Sequence, residues 1–210
     1  MSDTIKDLNW RYATKRYDTN KKLTEEQRSL IKEALRLSPS SFGLQPYKFI
    51  HVTDPAVREQ LRAAAWDQHQ MTEASDLFVI TALRSIDEAY IARYISLTAK
   101  ANNVSTESLN DYLGMITGSV MSKSEPERLE WMKHQAYIPL GVAIAVAAEN
   151  GIDASPMEGF DPQAFDRILG LEALGLTSCL VLAVGFRSPE DHHQAMAKVR
   201  LSEEDLFVEM

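Results

Sequence analysis

The residues of this chain best suited to chemistry are cations near its two ends. Arg11-Tyr12-Ala13-Thr14-Lys15-Arg16 places three cations within six residues, and Lys198-Val199-Arg200 adds an alternating pair. Arginine offers a planar fork and lysine a point charge, so the two segments together can form a phosphate clamp, although each alone also fits a solvated face. The other familiar chemical signatures are missing. No G-x-G-x-x-G or G-x-x-x-x-G-K occurs among nine singly scattered glycines, so no phosphate-cradling loop of either kind can be assembled. H-E-x-x-H, paired metal-binding cysteines and G-x-S-x-G are also missing. His192 and His193, beside Asp191, read as a solvated loop rather than a metal site.

Composition sets the background for that clamp. With 22 basic against 30 acidic side chains the net charge is −8, which argues against a general nucleic-acid binder and makes any cationic site local. At 45% hydrophobic and 25% charged residues the chain is neither disordered nor collagen-like. The single cysteine, Cys179, cannot form an internal disulfide and adjoins Leu180-Val181-Leu182, so a buried, inert thiol and a reducing cytoplasm are expected. Met1 to Asp7 lacks the apolar core of a signal peptide, so export is not expected. The longest apolar stretch, Ala136 to Ala148, falls short of the roughly 20 residues a membrane span needs.

The elements that must position these residues are legible in outline. Thr24-Glu25-Glu26-Gln27 has capping-box spacing, Leu30, Ile31, Ala34 and Leu35 follow on one helical face, and Ser38-Pro39 ends the helix. Tyr47 to Thr53 and Leu77 to Leu83 read as strands, with a helix opening at Asp54-Pro55 between them. Ser85-Ile86-Asp87-Glu88 reads as a second capping box, and Leu109, Tyr112, Leu113, Ile116 and Val120 repeat at helical spacing. Gly114 and Gly118 in that repeat suggest a close approach of elements. Ser124 is expected to cap a long helix reaching Asn150-Gly151, bent at Pro139, whose second half is apolar all round and so is expected to be buried at the domain centre or in a subunit interface. After Ile152 to Ser155, Asp161-Pro162 opens a short helix ending at Gly170, and Thr177 to Phe186 is the strongest strand signal, before a polar tail. No repeat or linker divides the chain, so one α+β domain over residues 1–210 is the economical reading, with α/β open.

Taken in order, the segments resemble the nitroreductase family of FMN-dependent NAD(P)H oxidoreductases. The likeness rests on Arg11 to Asp18, on Ser38-Pro39-Ser40-Ser41-Phe42-Gly43-Leu44-Gln45-Pro46-Tyr47-Lys48-Phe49, on Met71-Thr72-Glu73-Ala74-Ser75, on Pro156-Met157-Glu158-Gly159-Phe160 and on Lys198 to Leu201. It implies a central, mainly antiparallel sheet flanked by helices, a long buried helix at a homodimer interface and a C-terminal extension exchanged between subunits. It also implies tightly bound FMN, NAD(P)H as a transient reductant and a small electron-poor acceptor such as a nitroaromatic or quinone, reduced by ping-pong hydride transfer. Neither nucleic acid nor membrane is an implied partner.

Residue by residue, the resemblance implies that Arg11 binds the FMN phosphate and that Lys15 stabilises the negative charge that reduction puts on the N1/O2 edge. Tyr12 and Ala13 fill intervening contacts, Ala13 standing where many relatives have serine. Lys198 and Arg200 match the C-terminal phosphate contacts; on an extended segment, residues two apart converge on one anion. Pro39, Ser40, Ser41 and Leu44 match a segment reaching the flavin from the other subunit. Asp67 and Gln70 match pyrimidine-edge positions, where a carboxylate suits the N3 hydrogen but opposes charge at O2 and O4. Pro156, Met157, Glu158 and Gly159 match the loop whose backbone amide, at Glu158, approaches flavin N5. Within the same resemblance lie flavin, dihydropteridine and dehalogenating reductases, distinguished by a lid that Asn110 to Met121 would form here. A non-enzymatic flavin store is a further alternative that Lys15 disfavours.

Overall fold

Strand alternation and helix caps account for most of the elements in the computed structural model, which describes residues 3–210. In chain order these are α1 (Asp3–Trp10), α2 (Glu25–Leu37), β1 (Tyr47–His51), α3 (Pro55–Ala63), α4 (Gln70–Glu73), β2 (Asp76–Leu83), α5 (Glu88–Asn102), α6 (Asn110–Met121), α7 (Glu125–Glu149), β3 (Asp153–Met157), α8 (Pro162–Ile168), β4 (Leu176–Gly185) and α9 (Glu203–Leu206). Thr24 and Gln27 form the expected capping box, with Thr24 Oγ1 accepting from Gln27 N at 3.2 Å and Gln27 Oε1 from Thr24 N at 3.0 Å. Asp54 and Asp161 cap α3 and α8, each followed by proline in the first turn, where a missing N–H costs nothing.

All strand pairings in the four-stranded sheet, ordered β1-β2-β4-β3, are antiparallel, which settles α+β over α/β. The central pair, β2 and β4, is in register at Val79 opposite Val181, with a bulge between Ile80 and Thr81. Side chains alternate across the sheet. Phe78, Ile80, Leu180, Leu182 and Val184 pack on one face against Ile31 and Leu35 of α2 and Ala136, Leu140, Ala143 and Ala147 of α7. Leu77, Val79, Val181 and Ala183 pack on the other against Leu61, Met71, Phe160 and Phe165. A third cluster joins Leu44 and Ala82 to Ile91 and Ile95 of α5, Ile116 and Val120 of α6 and Met132 of α7.

Two of these expectations are corrected, and one helix had no forerunner in the sequence. The cap of α5 is Asp87, whose carboxylate accepts from Tyr90 N at 2.8 Å, rather than Ser85; a carboxylate one residue before the helix satisfies its free amides more directly. α7 runs through Pro139 as one helix; within one chain its second half buries Ala143, Ala147 and Ala148 and leaves Tyr137, Ile138 and Gly141 exposed, which is compatible with the subunit-interface alternative. Gly114 and Gly118 do not mark a close approach, since a Cβ at either would meet nothing within 4 Å. α1 lacked a sequence signal; none of its residues is buried, and it packs along α7.

A close approach of backbone elements lies instead at Gly185. A Cβ there would sit 2.9 Å from Tyr17 Cδ1 and 3.0 Å from Ser75 N, so glycine lets the end of β4 pass between the first loop and the start of β2. Gly185→Ala is therefore expected to cost about 1–3 kcal/mol in urea unfolding; an unchanged midpoint would show that Tyr17 yields without cost.

Candidate active site

The site begins at Asp191, which is 1% exposed. One carboxylate oxygen accepts from Lys15 N at 2.8 Å, Arg16 N at 3.2 Å and the Tyr12 hydroxyl at 3.0 Å. The other accepts from His193 N and pairs with His193 Nδ1, both at 3.0 Å. Burial alone would push the carboxyl up, but the amides of Lys15, Arg16 and His193 and the Tyr12 hydroxyl together hold it at about 2. This single side chain docks the first cationic segment onto the chain that follows β4.

Two further anchors complete the docking. Asp153, at the start of β3, takes Arg187 through Nε at 2.8 Å and accepts Arg187 N at 2.7 Å. The same guanidinium stacks over Trp10 at 4.2 Å and Tyr12 at 4.6 Å, so one buried ion pair carries an aromatic clamp on the end of α1. Glu73 holds Arg16, with both carboxylate oxygens 3.0 Å from Nε, and accepts Tyr17 N at 3.1 Å. The Met71 to Ser75 segment thus fixes the basic loop in place, and Arg16 is committed to Glu73 rather than to a ligand.

Seven of the residues picked from the sequence border one cavity of about 540 Å³: Arg11, Tyr12, Ala13, Lys15, Pro156, Lys198 and Arg200. Burial and the nearby Arg200 lower the Arg11 guanidinium, and burial with Arg11 and Arg200 lowers the Lys198 ammonium. No carboxylate among the described residues pairs with any of the three, and Arg11 Nε is buried with no hydrogen-bond partner. Like charges held together with an unspent donor form a site for an anion.

The alternation of Lys198 and Arg200 works differently from the expected extended strand. Residues 197–200 form no regular element, and Lys198 Nζ turns onto the carbonyls of Leu8, at 2.9 Å, and Arg11. It neutralises the carbonyl end of α1 while remaining at the cavity wall.

Lys15 also borders a second cavity, of about 880 Å³, with Gln68, His69, Gln70, Asp191 and His193 among its walls. The two spaces therefore meet at one ammonium and at His193. Asp67 borders neither: its exposed carboxylate pairs with Arg62 Nε at 2.7 Å. Glu158 accepts from the Tyr137 hydroxyl, and Gly159 O accepts from Gln68 Nε2 at 2.6 Å. Pro39, Ser40, Ser41 and Leu44 border neither cavity. Ser41 N donates to Gln135 Oε1 at 2.8 Å, and Tyr90 donates to Leu44 O at 2.9 Å, bracing a segment in which Phe42 and Gln45 have φ of 55° and 46°. Asp191, Asp153, Arg187 and Glu73 have site-building roles that the sequence did not disclose. The D-H-H run beside the C-terminal cations was the nearest signal.

Residues 8–186 match the profile described as the Nitroreductase family. An oxygen-insensitive NAD(P)H nitroreductase of Salmonella typhimurium is 31% identical over 95% of this chain and 96% of its own. One from Enterobacter cloacae is 30% identical over 91% and 92%. Among solved structures, the FMN complex of an Exiguobacterium sibiricum protein assigned to the nitroreductases superposes with a TM-score of 0.83 at 20% identity, covering 100% of this chain and 98% of that one. A nitroreductase-like protein of Streptococcus mutans gives 0.83 at 20% identity, covering 99% and 98%. The chain belongs to the nitroreductase family.

Asp191 yields a test independent of any ligand. Because its carboxyl is held below the ordinary value, its stabilisation is complete above about pH 4 and is lost as pH falls towards 2. Asp191→Asn is expected to cost about 1–3 kcal/mol at neutral pH and to flatten this acid limb. Parallel acid limbs for wild type and variant in urea titrations would refute the assignment.

Proposed function

We propose that the protein is an FMN-dependent oxidoreductase that takes reducing equivalents from NAD(P)H and passes them to nitroaromatics, quinones or related electron-poor acceptors by a ping-pong mechanism. The observation that carries this reading is the convergence of Arg11, Lys198 and Arg200 on one cavity, unpaired with any carboxylate of the described residues, with Arg11 Nε buried and partnerless. A phosphate monoester fits that donor set. The naming of the Salmonella and Enterobacter relatives and the FMN in the Exiguobacterium complex point the same way.

When bound, FMN supplies the ring that accepts and donates hydride. The protein's part is to grip, orient and tune. Arg11 and Arg200 grip the phosphate, while Lys198 adds charge and fastens the tail to α1. Tyr12 and Ala13 shape the wall, with Tyr12 fixed by Asp191. Lys15, unpaired with any carboxylate of the described residues at the junction of the two cavities, offsets negative charge that arrives with hydride. Gln70, 3% exposed at the edge of the larger cavity, offers an amide to a pyrimidine edge, and the 156–159 segment, whose Pro156 borders the smaller cavity, would offer its backbone at Glu158.

The same reading makes residues 1–210 one domain that works as a homodimer in the cytoplasm. The open face of α7 at Tyr137, Ile138 and Gly141 is a surface for a second copy, and the exposed Val199, Phe207 and Val208 suit a tail that crosses to it. A partner would also bring Pro39 to Leu44, which border neither cavity in their own chain, within reach of the site. Among the described residues no helix is long and apolar enough to cross a membrane.

The purified protein should be yellow, or become so with FMN, and should oxidise NADPH in the presence of menadione. A colourless protein that cannot be reconstituted overturns the reading. Arg200→Ala should weaken FMN binding by about tenfold or more, the worth of one charge-assisted contact. Lys15→Ala should slow flavin reduction more than it weakens binding; an unchanged reduction rate removes the role given to Lys15.

A further inference from the structure

Pro156, within β3, borders the Arg11 cavity, and in the loop that follows Gly159 O is held by Gln68, which borders the larger cavity. Glu158 is drawn the other way: its carboxylate accepts from the hydroxyl of Tyr137 on α7. Tyr137 borders a separate space of about 520 Å³, together with His134, Pro162 and Cys179. A turn closes the loop, with Phe160 N donating to Glu158 O at 2.9 Å, and leaves the Glu158 side chain exposed.

We propose that Tyr137 is a positioning residue that keeps the Glu158 carboxylate on the α7 side of the loop, leaving the loop backbone alone to meet the flavin. The inference rests on the FMN reading above. Its physical basis is electrostatic: a loose carboxylate beside a ring that gains negative charge opposes that gain, whereas a backbone N–H favours it. The hydrogen bond to Glu158, followed by burial, raises the Tyr137 phenol to about 12, so the hydroxyl stays a donor throughout the neutral range. The rim of the α7 space adds no second cation on Glu158: among the described residues Lys133 pairs with Glu130, and burial raises the Cys179 thiol to about 11, which keeps it neutral. Tyr137 is therefore the group that holds this charge in place.

The test uses the holoprotein and two variants, Tyr137→Phe and Tyr137→Phe with Glu158→Gln. FMN uptake by the wild type is scored first, and then the flavin midpoint potential and the rate of flavin bleaching by NADPH. Tyr137→Phe should shift the potential to more negative values and slow bleaching about tenfold, while Glu158→Gln in that background should recover most of both. A wild type that takes up no FMN overturns the flavin reading and this inference with it. A yellow Tyr137→Phe variant with unchanged potential and rate overturns the role of Tyr137 alone. So does a double variant as impaired as the single one, because the defect would then lie in loop packing and not in the charge.

Discussion

Everything distinctive about the site depends on one buried carboxylate. Asp191 has no helix or strand of its own to stand in, yet it gathers two backbone amides and a phenol from the first loop and an amide and an imidazole from the last. Buried charge is costly unless its lone pairs are filled, and here five donors fill them. The cost of burying it is thereby converted into a rule about geometry: the first loop must lie where Asp191 can reach Lys15 N, and that places the Lys15 side chain at the meeting of two cavities.

Around this point the fold tolerates an unfavourable crowding of cations. Arg11, Lys198 and Arg200 repel one another, and burial adds to the cost of charge at Arg11 and Lys198. The structure holds them together by giving Lys198 the end carbonyls of α1 and by stacking Arg187 on Trp10 and Tyr12 over its pair with Asp153. Stability is spent to create a place that an anion would relieve, a common arrangement at binding sites.

The local parts of this arrangement were legible in the amino-acid sequence. Thr24 with Gln27, Asp54 with Pro55 and Asp161 with Pro162 announce their helices because each cap acts within four residues, and the alternation of β2 and β4 announces a half-shared core on each face. The cationic residues of the site were legible by type. Their partners were not: Asp191 lies 176 residues from Lys15, Asp153 lies 34 from Arg187, and Glu73 lies 57 from Arg16, distances over which no periodic signal survives. α1 was missed for the same reason, since it holds its place by packing on α7 and by the bond from Lys198 rather than by propensity or burial. Gly114 and Gly118 misled because small residues mark contact only when something is there to touch, and in this chain nothing is.

The position of Asp191 after the last strand has a consequence for how the molecule comes into being. The sheet is complete at Gly185, with both of its faces covered by helices already made. The cation-lined cavity, by contrast, closes only when Asp191, Lys198 and Arg200 have left the ribosome and folded back on the first loop. A nascent chain interrupted after β4 would own a core without owning the cavity lined by Arg11, Lys198 and Arg200. The cation-lined cavity therefore belongs to the residues that follow β4 rather than to the core.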